Sequence, residues 1–281
     1  MYSDNIIYTS RYNDLVAFDA TSLKEIKAVS IIGNPWGFLY GGRVACAPHN
    51  SSIAAMTGEE TRIFPDSKLV NPIIIPKVSG DINVRLSALT SDDRFFVVQG
   101  DSKNCQVFNA KNGTKIFDFQ FTYTTIYDIH SLITVSENGR YFCASSENGM
   151  EVFEINGTIA KRLYTDTRQY MNAIFIPSQP DQLLLRVDSD IEIRQVPDFN
   201  LIQKFDVAEK DILICNIDPA TGNLLYHQND SLMVAKINNI TEPIIKLKSD
   251  ETTCKLLNNK LLTYGKDGIA LDISPYINHP E

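Results

Sequence analysis

Six carboxylates stand out as residues that could carry acid–base chemistry or hold a cation: Asp92, Asp93, Glu137, Asp181, Asp218 and Asp267. A hydrolytic site needs several such groups to converge, with an acid and a base within reach of the substrate. These six fall mainly in segments predicted as turns, where Asp is favoured because its side chain hydrogen-bonds the neighbouring backbone. We therefore interpret them as turn residues and predict no catalytic residues.

The cysteines and histidines lack the spacing of metal ligands. The cysteines are Cys46, Cys105, Cys143, Cys215 and Cys254, and the histidines are His49, His130, His227 and His279. No two cysteines form a CxxC pair, and the histidines are equally scattered, whereas zinc sites place their ligands in close pairs. We predict free, buried thiols, no metal site and no cofactor.

Aromatic residues offer a different chemistry, the non-covalent binding of a partner. The segment 33–42 reads Gly-Asn-Pro-Trp-Gly-Phe-Leu-Tyr-Gly-Gly, and further aromatic residues lie in two later segments of the same kind. Large aromatic side chains with a polar group carry much of the binding energy at interfaces. The predicted partner-binding residues are Trp36, Phe38, Tyr40, Tyr123, Tyr127 and Tyr170. The alternative is that these rings pack in the core, in which case Trp36, Tyr40 and Tyr123 would all be buried.

A repeat defines the elements that would position these residues. Residues 132–158 hold three short runs of β-forming residues separated by turns rich in Asn and Gly, and the same layout recurs upstream and downstream. The third run of each unit starts near Leu15, Thr61, Cys105, Met150, Ile191, Ser231 and Ile269. This period matches the roughly 40 to 45 residues of a four-stranded propeller blade. The sequence predicts an all-β, seven-bladed β-propeller of four-stranded antiparallel blades, as a single domain over residues 1–281.

The repeat resembles the WD-repeat family, although only at the level of a degenerate WD-like propeller. Phenylalanine stands where the family has the Trp of Trp-Asp, at Phe18, Phe64, Phe108 and Phe153. The family turn Ser-Pro-Asp-Gly is echoed by residues 91–94 and 136–139, but no Trp-Asp or Gly-His dipeptide occurs. The resemblance implies the propeller fold, with these aromatic rings and other apolar side chains packed between blades.

The two terminal units are predicted to be atypical or incomplete. The first offers strands near residues 5–10, 15–20 and 24–32, without an innermost strand before Asn5, and the last offers strands near 252–257, 260–264 and 269–273. Unpaired sheet edges are liabilities that proteins usually cover. We therefore expect the ring to close by an exchange between the termini or by a strand from a partner.

The net charge and the hydropathy of the chain argue against two classes of partner, nucleic acids and membranes. The net charge is −8 and the basic residues form no run, which argues against a nucleic-acid partner. No apolar run is long enough to span a bilayer, and residues 1–5 do not begin a signal peptide, so we expect no membrane insertion and a cytoplasmic or nuclear protein.

These observations favour a non-enzymatic scaffold for protein–protein interaction. We expect a subunit of a larger complex that presents a propeller rim to a protein or peptide. The alternative is a propeller enzyme of the lactonase or hydrolase type. That alternative requires a pocket at the central channel lined by acidic, His or Asn residues.

Overall fold

The computed structural model describes the strands of the chain and many of the turns between them. The described residues are 2–3, 6–11, 14–19, 21–22, 24–30, 44–46, 52–56, 60–66, 68–76, 85–99, 103–122, 132–177, 179–207, 212–248, 254–257, 260–263 and 270–272. Within these ranges every regular element is a β-strand.

The chain is an all-β propeller of small antiparallel sheets, as predicted. Six sheets have four strands each, and the last has three strands among the described residues. We call the four-stranded sheets blades 1 to 6 and the last one the C-terminal sheet. The contacts divide the chain into two compact units, Met1–Thr167 with blades 1 to 4 and Arg168–Glu281 with the remaining sheets. The single domain over residues 1–281 stays a prediction.

The described residues of the first unit form sixteen strands, four for each blade in chain order. They are β1 (Tyr2–Ser3), β2 (Ile6–Arg11), β3 (Asp14–Asp19) and β4 (Glu25–Ser30); β5 (Val44–Cys46), β6 (Ile53–Met56), β7 (Glu60–Phe64) and β8 (Ile73–Pro76); β9 (Arg85–Leu89), β10 (Arg94–Gln99), β11 (Asn104–Asn109) and β12 (Lys115–Gln120); and β13 (Leu132–Val135), β14 (Tyr141–Ser146), β15 (Gly149–Asn156) and β16 (Ile159–Asp166).

The second unit follows the same up-and-down order. Its strands are β17 (Tyr170–Ile176), β18 (Gln179–Val187), β19 (Asp190–Gln195) and β20 (Asn200–Asp206); β21 (Ile212–Ile217), β22 (Asn223–Gln228), β23 (Ser231–Lys236) and β24 (Ile245–Lys248); and β25 (Cys254–Leu257), β26 (Lys260–Thr263) and β27 (Ala270–Asp272). In both units the first strands of successive sheets contact one another, as β5, β9 and β13 do, and the fourth strand forms the edge of its blade.

The third strands confirm the predicted repeat. They begin at Asp14, Glu60, Asn104, Gly149, Asp190, Ser231 and Ala270, each within one residue of its predicted start. The starts of the third strands were predictable from the sequence because these strands combine β-forming side chains with Asn, Asp and Gly in the flanking turns.

Blade 1 corrects one prediction about the ends. The sequence pattern suggested that this blade lacks its innermost strand, but Tyr2–Ser3 pairs with β2, placing Tyr2 opposite Ile7. A strand of two residues is too short to show the alternation by which strands are recognised. The C-terminal sheet has three strands in the described residues, at the predicted places.

Apolar clusters between neighbouring blades hold each unit together, and three of the four predicted phenylalanines lie in them, whereas Phe18 is half-buried and belongs to none of these clusters. Phe64 packs with Tyr8 and Leu15 of blade 1, and Phe108 packs with Ile63 of blade 2. Phe153 lies against blade 3, with its ring centroid 6.0 Å from that of Phe121. A fully buried ring of this size contributes about 1.5 to 3 kcal/mol. The structure therefore confirms the predicted packing between blades for these three rings.

In the second unit, one apolar cluster joins blade 5 to blade 6 and another joins blade 6 to the C-terminal sheet. Tyr226 lies in the first cluster, where its hydroxyl donates a hydrogen bond to the carbonyl oxygen of Ile240 at 3.0 Å. Burial raises the pKa of Tyr226 to about 12, so the hydroxyl remains a donor at neutral pH.

Candidate functional site at the connection edge

One edge of each blade is the natural place for the predicted binding residues. In an up-and-down meander, neighbouring strands run in opposite directions. One edge of the sheet therefore holds the starts of the first and third strands together with the ends of the second and fourth strands. The chain leaves the fourth strand at this edge to reach the next blade. We call it the connection edge.

Five of the six predicted partner-binding residues fall in such connections. Trp36, Phe38 and Tyr40 lie between Ser30, the end of β4, and Val44, the start of β5. Tyr123 and Tyr127 lie between the end of β12 and the start of β13. All five are outside the described residues, so their role stays a prediction.

Tyr170 is the exception, and its place corrects the prediction. It is the first residue of β17, and its side chain is fully buried, with 0% exposure. Its hydroxyl accepts a hydrogen bond from the guanidinium of Arg168 at 3.1 Å, and the same guanidinium lies 5.7 Å from the ring centroid. A buried ring cannot contact a partner, so we remove Tyr170 from the binding residues.

In blades 2, 3 and 4 the third position of the third strand faces the preceding blade close to the connection edge. Strand alternation places it there on the same side as the phenylalanine two residues later, which packs against that blade. In four successive blades this position is polar or charged, occupied by Arg62, Gln106, Glu151 and Glu192. We call these residues the clamp residues, because three of them hold the chain at or next to a connection.

Arg62 holds the end of β4 in the first unit. Its guanidinium Nη1 donates a hydrogen bond to the carbonyl oxygen of Ser30 at 3.1 Å. Its Nε lies 2.5 Å from a carboxylate oxygen of Glu60, and both side chains are about three-quarters buried, at 23% and 22% exposure. The arginine therefore fixes the last residue before the connection that carries Trp36.

Glu151 holds the residues that follow β12. Its side chain is fully buried, and both carboxylate oxygens accept hydrogen bonds from the backbone N–H of Thr122, at 2.9 and 3.1 Å. Arg162 compensates the buried charge, with its Nε 2.8 Å from Glu151 and a further hydrogen bond to the Thr122 hydroxyl. Lys103 donates to the Thr122 carbonyl oxygen at 3.0 Å. Thr122, the last described residue before Tyr123, is thus held through its N–H, its carbonyl and its hydroxyl.

Glu192 occupies the same position in blade 5. Its carboxylate lies 2.6 Å from Nε of Arg194 and 3.8 Å from a guanidinium nitrogen of Arg168, a residue of the connection ahead of β17. The side chain is 5% exposed. A buried carboxylate is tolerated only where such cations and donors surround it.

Gln106 is the clamp residue whose contact is incomplete. Its Oε1 is buried and has no hydrogen-bond partner within the ranges that the structure describes. The connection that precedes blade 3 covers residues 77–84, outside the described residues.

The carboxylates singled out as candidate catalytic groups have local structural contacts instead. Asp92 accepts hydrogen bonds from Thr90 and Arg94 in the turn between β9 and β10, and Asp218 accepts them from the backbone N–H of Ala220 and the hydroxyl of Thr221. Asp181 accepts one from Gln195 at 2.7 Å. These contacts give Asp92, Asp181 and Asp218 a structural role; Asp267 lies outside the described residues.

The pKa of Asp92 reflects this turn. Partial burial alone would raise it, but the hydrogen bonds from Arg94 and Thr90 and the charge of Arg94 outweigh burial, so the pKa lies below its ordinary value. The carboxylate is therefore ionised at neutral pH and cannot donate a proton as a general acid.

Two of the described thiols, those of Cys105 and Cys143, are unsuited to nucleophilic chemistry. Cys105 and Cys143 are free and buried, as predicted, whereas Cys215 is only partly buried. Burial raises the pKa of Cys105 and of Cys143 well above the usual range, which keeps both thiols protonated. Among the side chains that can be described, no group of three or more His, Cys, Asp or Glu residues is placed to hold a metal ion. The described part of the chain also contains no helix with the length and apolar character needed to cross a membrane.

Two asparagines make a second kind of contact between sheets in the second unit. Asn172 donates to the carbonyl oxygen of Ile214 at 2.7 Å, and Asn216 forms two hydrogen bonds with the backbone of Leu256, both at 2.8 Å. Each asparagine directly follows a register shift in its first strand. The side-chain amide thus acts as an additional ladder bond between first strands.

The sequence pattern did not predict the contacts of the clamp residues or of these two asparagines. The available signal was a polar residue inside an otherwise apolar strand, such as Glu151 between Met150 and Val152, or Glu192 between two isoleucines. Such a residue must be buried with partners or lie on the exposed face, and the repeat pattern alone does not decide between the two.

Comparison with protein-family models finds no match for the chain, and comparison with curated proteins finds none either. The chain therefore shows a propeller arrangement without an assigned family.

Proposed function

We propose that the chain is a non-enzymatic scaffold, a subunit of a larger complex, that binds a protein or peptide through the aromatic connections at the connection edge. The anchors are Trp36, Phe38 and Tyr40 in one connection and Tyr123 and Tyr127 in another. The net charge of −8 favours a protein partner with basic groups over a nucleic acid.

One observation carries this proposal. The two connections that hold the five aromatic residues both follow a strand end fixed by a charged clamp residue, Ser30 by Arg62 and Thr122 by Glu151. Binding loops on a rigid scaffold lose less conformational entropy when a partner orders them. The clamp contacts therefore suit a segment that must present large side chains.

The same proposal includes the number of blades and the way in which the ring closes. We propose that the C-terminal sheet is the seventh blade of a WD-like ring and that its fourth strand comes from a terminal exchange or from a partner. A strand supplied by a partner would add backbone hydrogen bonds to the binding energy. In keeping with the absence of any long apolar run, we propose a cytoplasmic or nuclear location and no membrane insertion.

The experiment compares partner capture by the wild-type chain and by the double variant W36A/Y40A. The proteins are tagged, expressed in the native cell, purified by affinity and analysed by quantitative mass spectrometry. We expect the double variant to lose the specifically captured proteins, because truncation of central aromatic anchors typically costs about 2 kcal/mol or more of binding energy.

The matched control is I159A. It removes an exposed apolar side chain, 68% exposed, from the outer strand β16. This control should capture the same proteins as the wild-type chain. Unchanged capture by W36A/Y40A would contradict the proposal, as would a large drop in its melting temperature, which would place the rings in the core.

A further inference from the structure

We infer that Asn156 is a site of covalent modification, at which the side-chain amide is lost and an aspartate or isoaspartate residue forms. The chain contains four Asn-Gly pairs, the dipeptide most open to this reaction because glycine has no side chain to hinder it. They are Asn112-Gly113, Asn138-Gly139, Asn148-Gly149 and Asn156-Gly157. All four pairs lie within the described residues, at or beside turns, and they differ in their contacts.

The reaction needs a backbone nitrogen and a side-chain carbonyl that can move together. The backbone nitrogen of the glycine loses its proton and attacks Cγ of the asparagine, the Cγ–Nδ2 bond breaks, and ammonia leaves with that proton. Water then opens the five-membered succinimide at either of its two carbonyl carbons, which gives aspartate or isoaspartate. A glycine N–H held in a hydrogen bond, or an asparagine side chain held in another direction, therefore slows the reaction.

The pair Asn156-Gly157 is held in neither way. Asn156 is the last residue of β15 and pairs with Ile159, so that Gly157 and Thr158 form the turn between the two strands. All four residues are exposed. Among the described residues, neither the Asn156 side chain nor the Gly157 N–H has a hydrogen-bond partner. A Cβ on Gly157 would meet nothing within 4 Å, so the turn also has room to move.

The pair in blade 3 is held in both ways. The Gly113 N–H donates a hydrogen bond to the carbonyl oxygen of Asn109 at 2.8 Å. Oδ1 of Asn112 accepts hydrogen bonds from the N–H and the hydroxyl of Thr114, at 3.0 and 2.7 Å. Both reacting groups of this pair must therefore give up hydrogen bonds before they can meet.

The pair between β13 and β14 is held by the same kinds of contact. The Gly139 N–H donates to the carbonyl oxygen of Ser136 at 2.8 Å. Oδ1 of Asn138 accepts hydrogen bonds from the Ser136 hydroxyl at 2.8 Å and from the Arg140 N–H at 3.0 Å. This pair therefore resists the reaction as the pair in blade 3 does.

The pair between β14 and β15 is held by packing. Gly149 is buried and pairs with Ser146, and a Cβ placed on it would collide with the backbone oxygen of Asp166. The backbone N–H of Asn148 donates to the Ser146 hydroxyl at 3.2 Å. The glycine nitrogen is therefore fixed in the strand and cannot turn toward Cγ of Asn148.

The hairpin that carries Asn156 lies away from the proposed binding surface. It joins the end of β15 to the start of β16, at the edge of blade 4 opposite the connection edge. The modification replaces a neutral amide with a carboxylate at this edge, and the isoaspartate form adds one carbon to the main chain. The inference does not depend on the proposed function, and loss or retention of partner capture does not bear on it.

The experiment follows all four sites in the folded protein by peptide mapping with mass spectrometry during incubation in mildly alkaline buffer. Glu-C digestion separates Asn148 from Asn156, because Glu151 and Glu154 lie between them. Chromatography distinguishes the isoaspartate peptide from the aspartate peptide. We expect Asn156 to react at least about tenfold faster than each of the other three, because those sites must first break the contacts that hold them.

The same chain unfolded in guanidinium chloride is the matched control. The four sites should react there at similar rates, because each asparagine is followed by glycine. Equal rates at Asn156 and another site of the folded protein would overturn the inference, as would an unmodified Asn156 under conditions that convert the unfolded chain. A tenfold preference for Asn156 that persists in the unfolded chain would also overturn it, since the preference would then come from the local sequence and not from the fold.

Discussion

Buried polar side chains in this protein fall into two groups, those with partners and those without. Glu151 is fully buried but is surrounded by the Thr122 N–H and the Arg162 guanidinium. Removing one partner of such a pair is costly because the remaining charge stays buried. Ser145, by contrast, is 1% exposed, and its hydroxyl has no hydrogen-bond partner among the described residues.

Two serines of blade 4 allow a matched test of this difference. The hydroxyl of Ser136 accepts a hydrogen bond from the N–H of Tyr141 and donates one to Asn138, both at 2.8 Å. We expect S136A to lower the free energy of unfolding by about 1 to 2 kcal/mol, because it leaves a buried donor unsatisfied. S145A removes a hydroxyl that has no hydrogen-bond partner in the described part of the chain, and it should leave stability unchanged or raise it by up to about 1 kcal/mol. Urea denaturation of both variants checks this, and an equal loss in S145A would contradict it.

The outer strands of the blades share an irregularity. In blades 1, 3, 4 and 5, the pairing of the third and fourth strands shifts by one residue beside the fifth residue of the third strand, for example between Ala17 and Phe18. The shift leaves one fourth-strand residue unpaired, and three of these residues are the exposed Ile26, Ile116 and Ile202. A bulge distorts a sheet edge and so hinders pairing with another chain. These three exposed isoleucines are thus the residues that the bulge leaves unpaired at the edge of the blade.

Gly149 in β15 and Gly157 in the turn after β15 differ in the space that surrounds them in the hairpins of blade 4. Gly149 has a φ of +139°, and a Cβ there would lie 2.4 Å from the backbone oxygen of Asp166. Gly157 also has a positive φ, +61°, but a Cβ there would meet nothing within 4 Å. We expect G157A to cost about 1 kcal/mol of stability and G149A more than about 2 kcal/mol, because only G149A adds a backbone clash to the conformational strain. Urea denaturation of both variants measures this, and equal losses would show that the clash is relieved by a small shift.

At the level of elements, the sequence predicted the structure correctly where runs of β-forming residues and turn residues recurred at a regular spacing. The starts of the third strands and the packing of Phe64, Phe108 and Phe153 followed from spacing and residue type. The bulges did not, because register depends on pairing between strands and not on either strand alone. The clamp contact of Arg62 with Ser30 joins residues on separate blades and could not be read from either segment.

At the level of the whole molecule, the described residues form two compact units, each with apolar clusters between its own sheets. In both units charged clamp residues lie at the connection edge, and each is engaged in an ion pair. The proposed function treats these edges as a rigid platform whose connections bind a partner.

The connection that carries Trp36 is proposed as an exposed binding surface, and acrylamide quenching of the single tryptophan tests this proposal most directly. We predict that the quenching constant of the native protein approaches that of the urea-unfolded chain and falls when a captured partner is added, because the partner then shields the ring. A native quenching constant far below that of the unfolded chain, unchanged by the partner, would show that Trp36 belongs to the core and would contradict the claim.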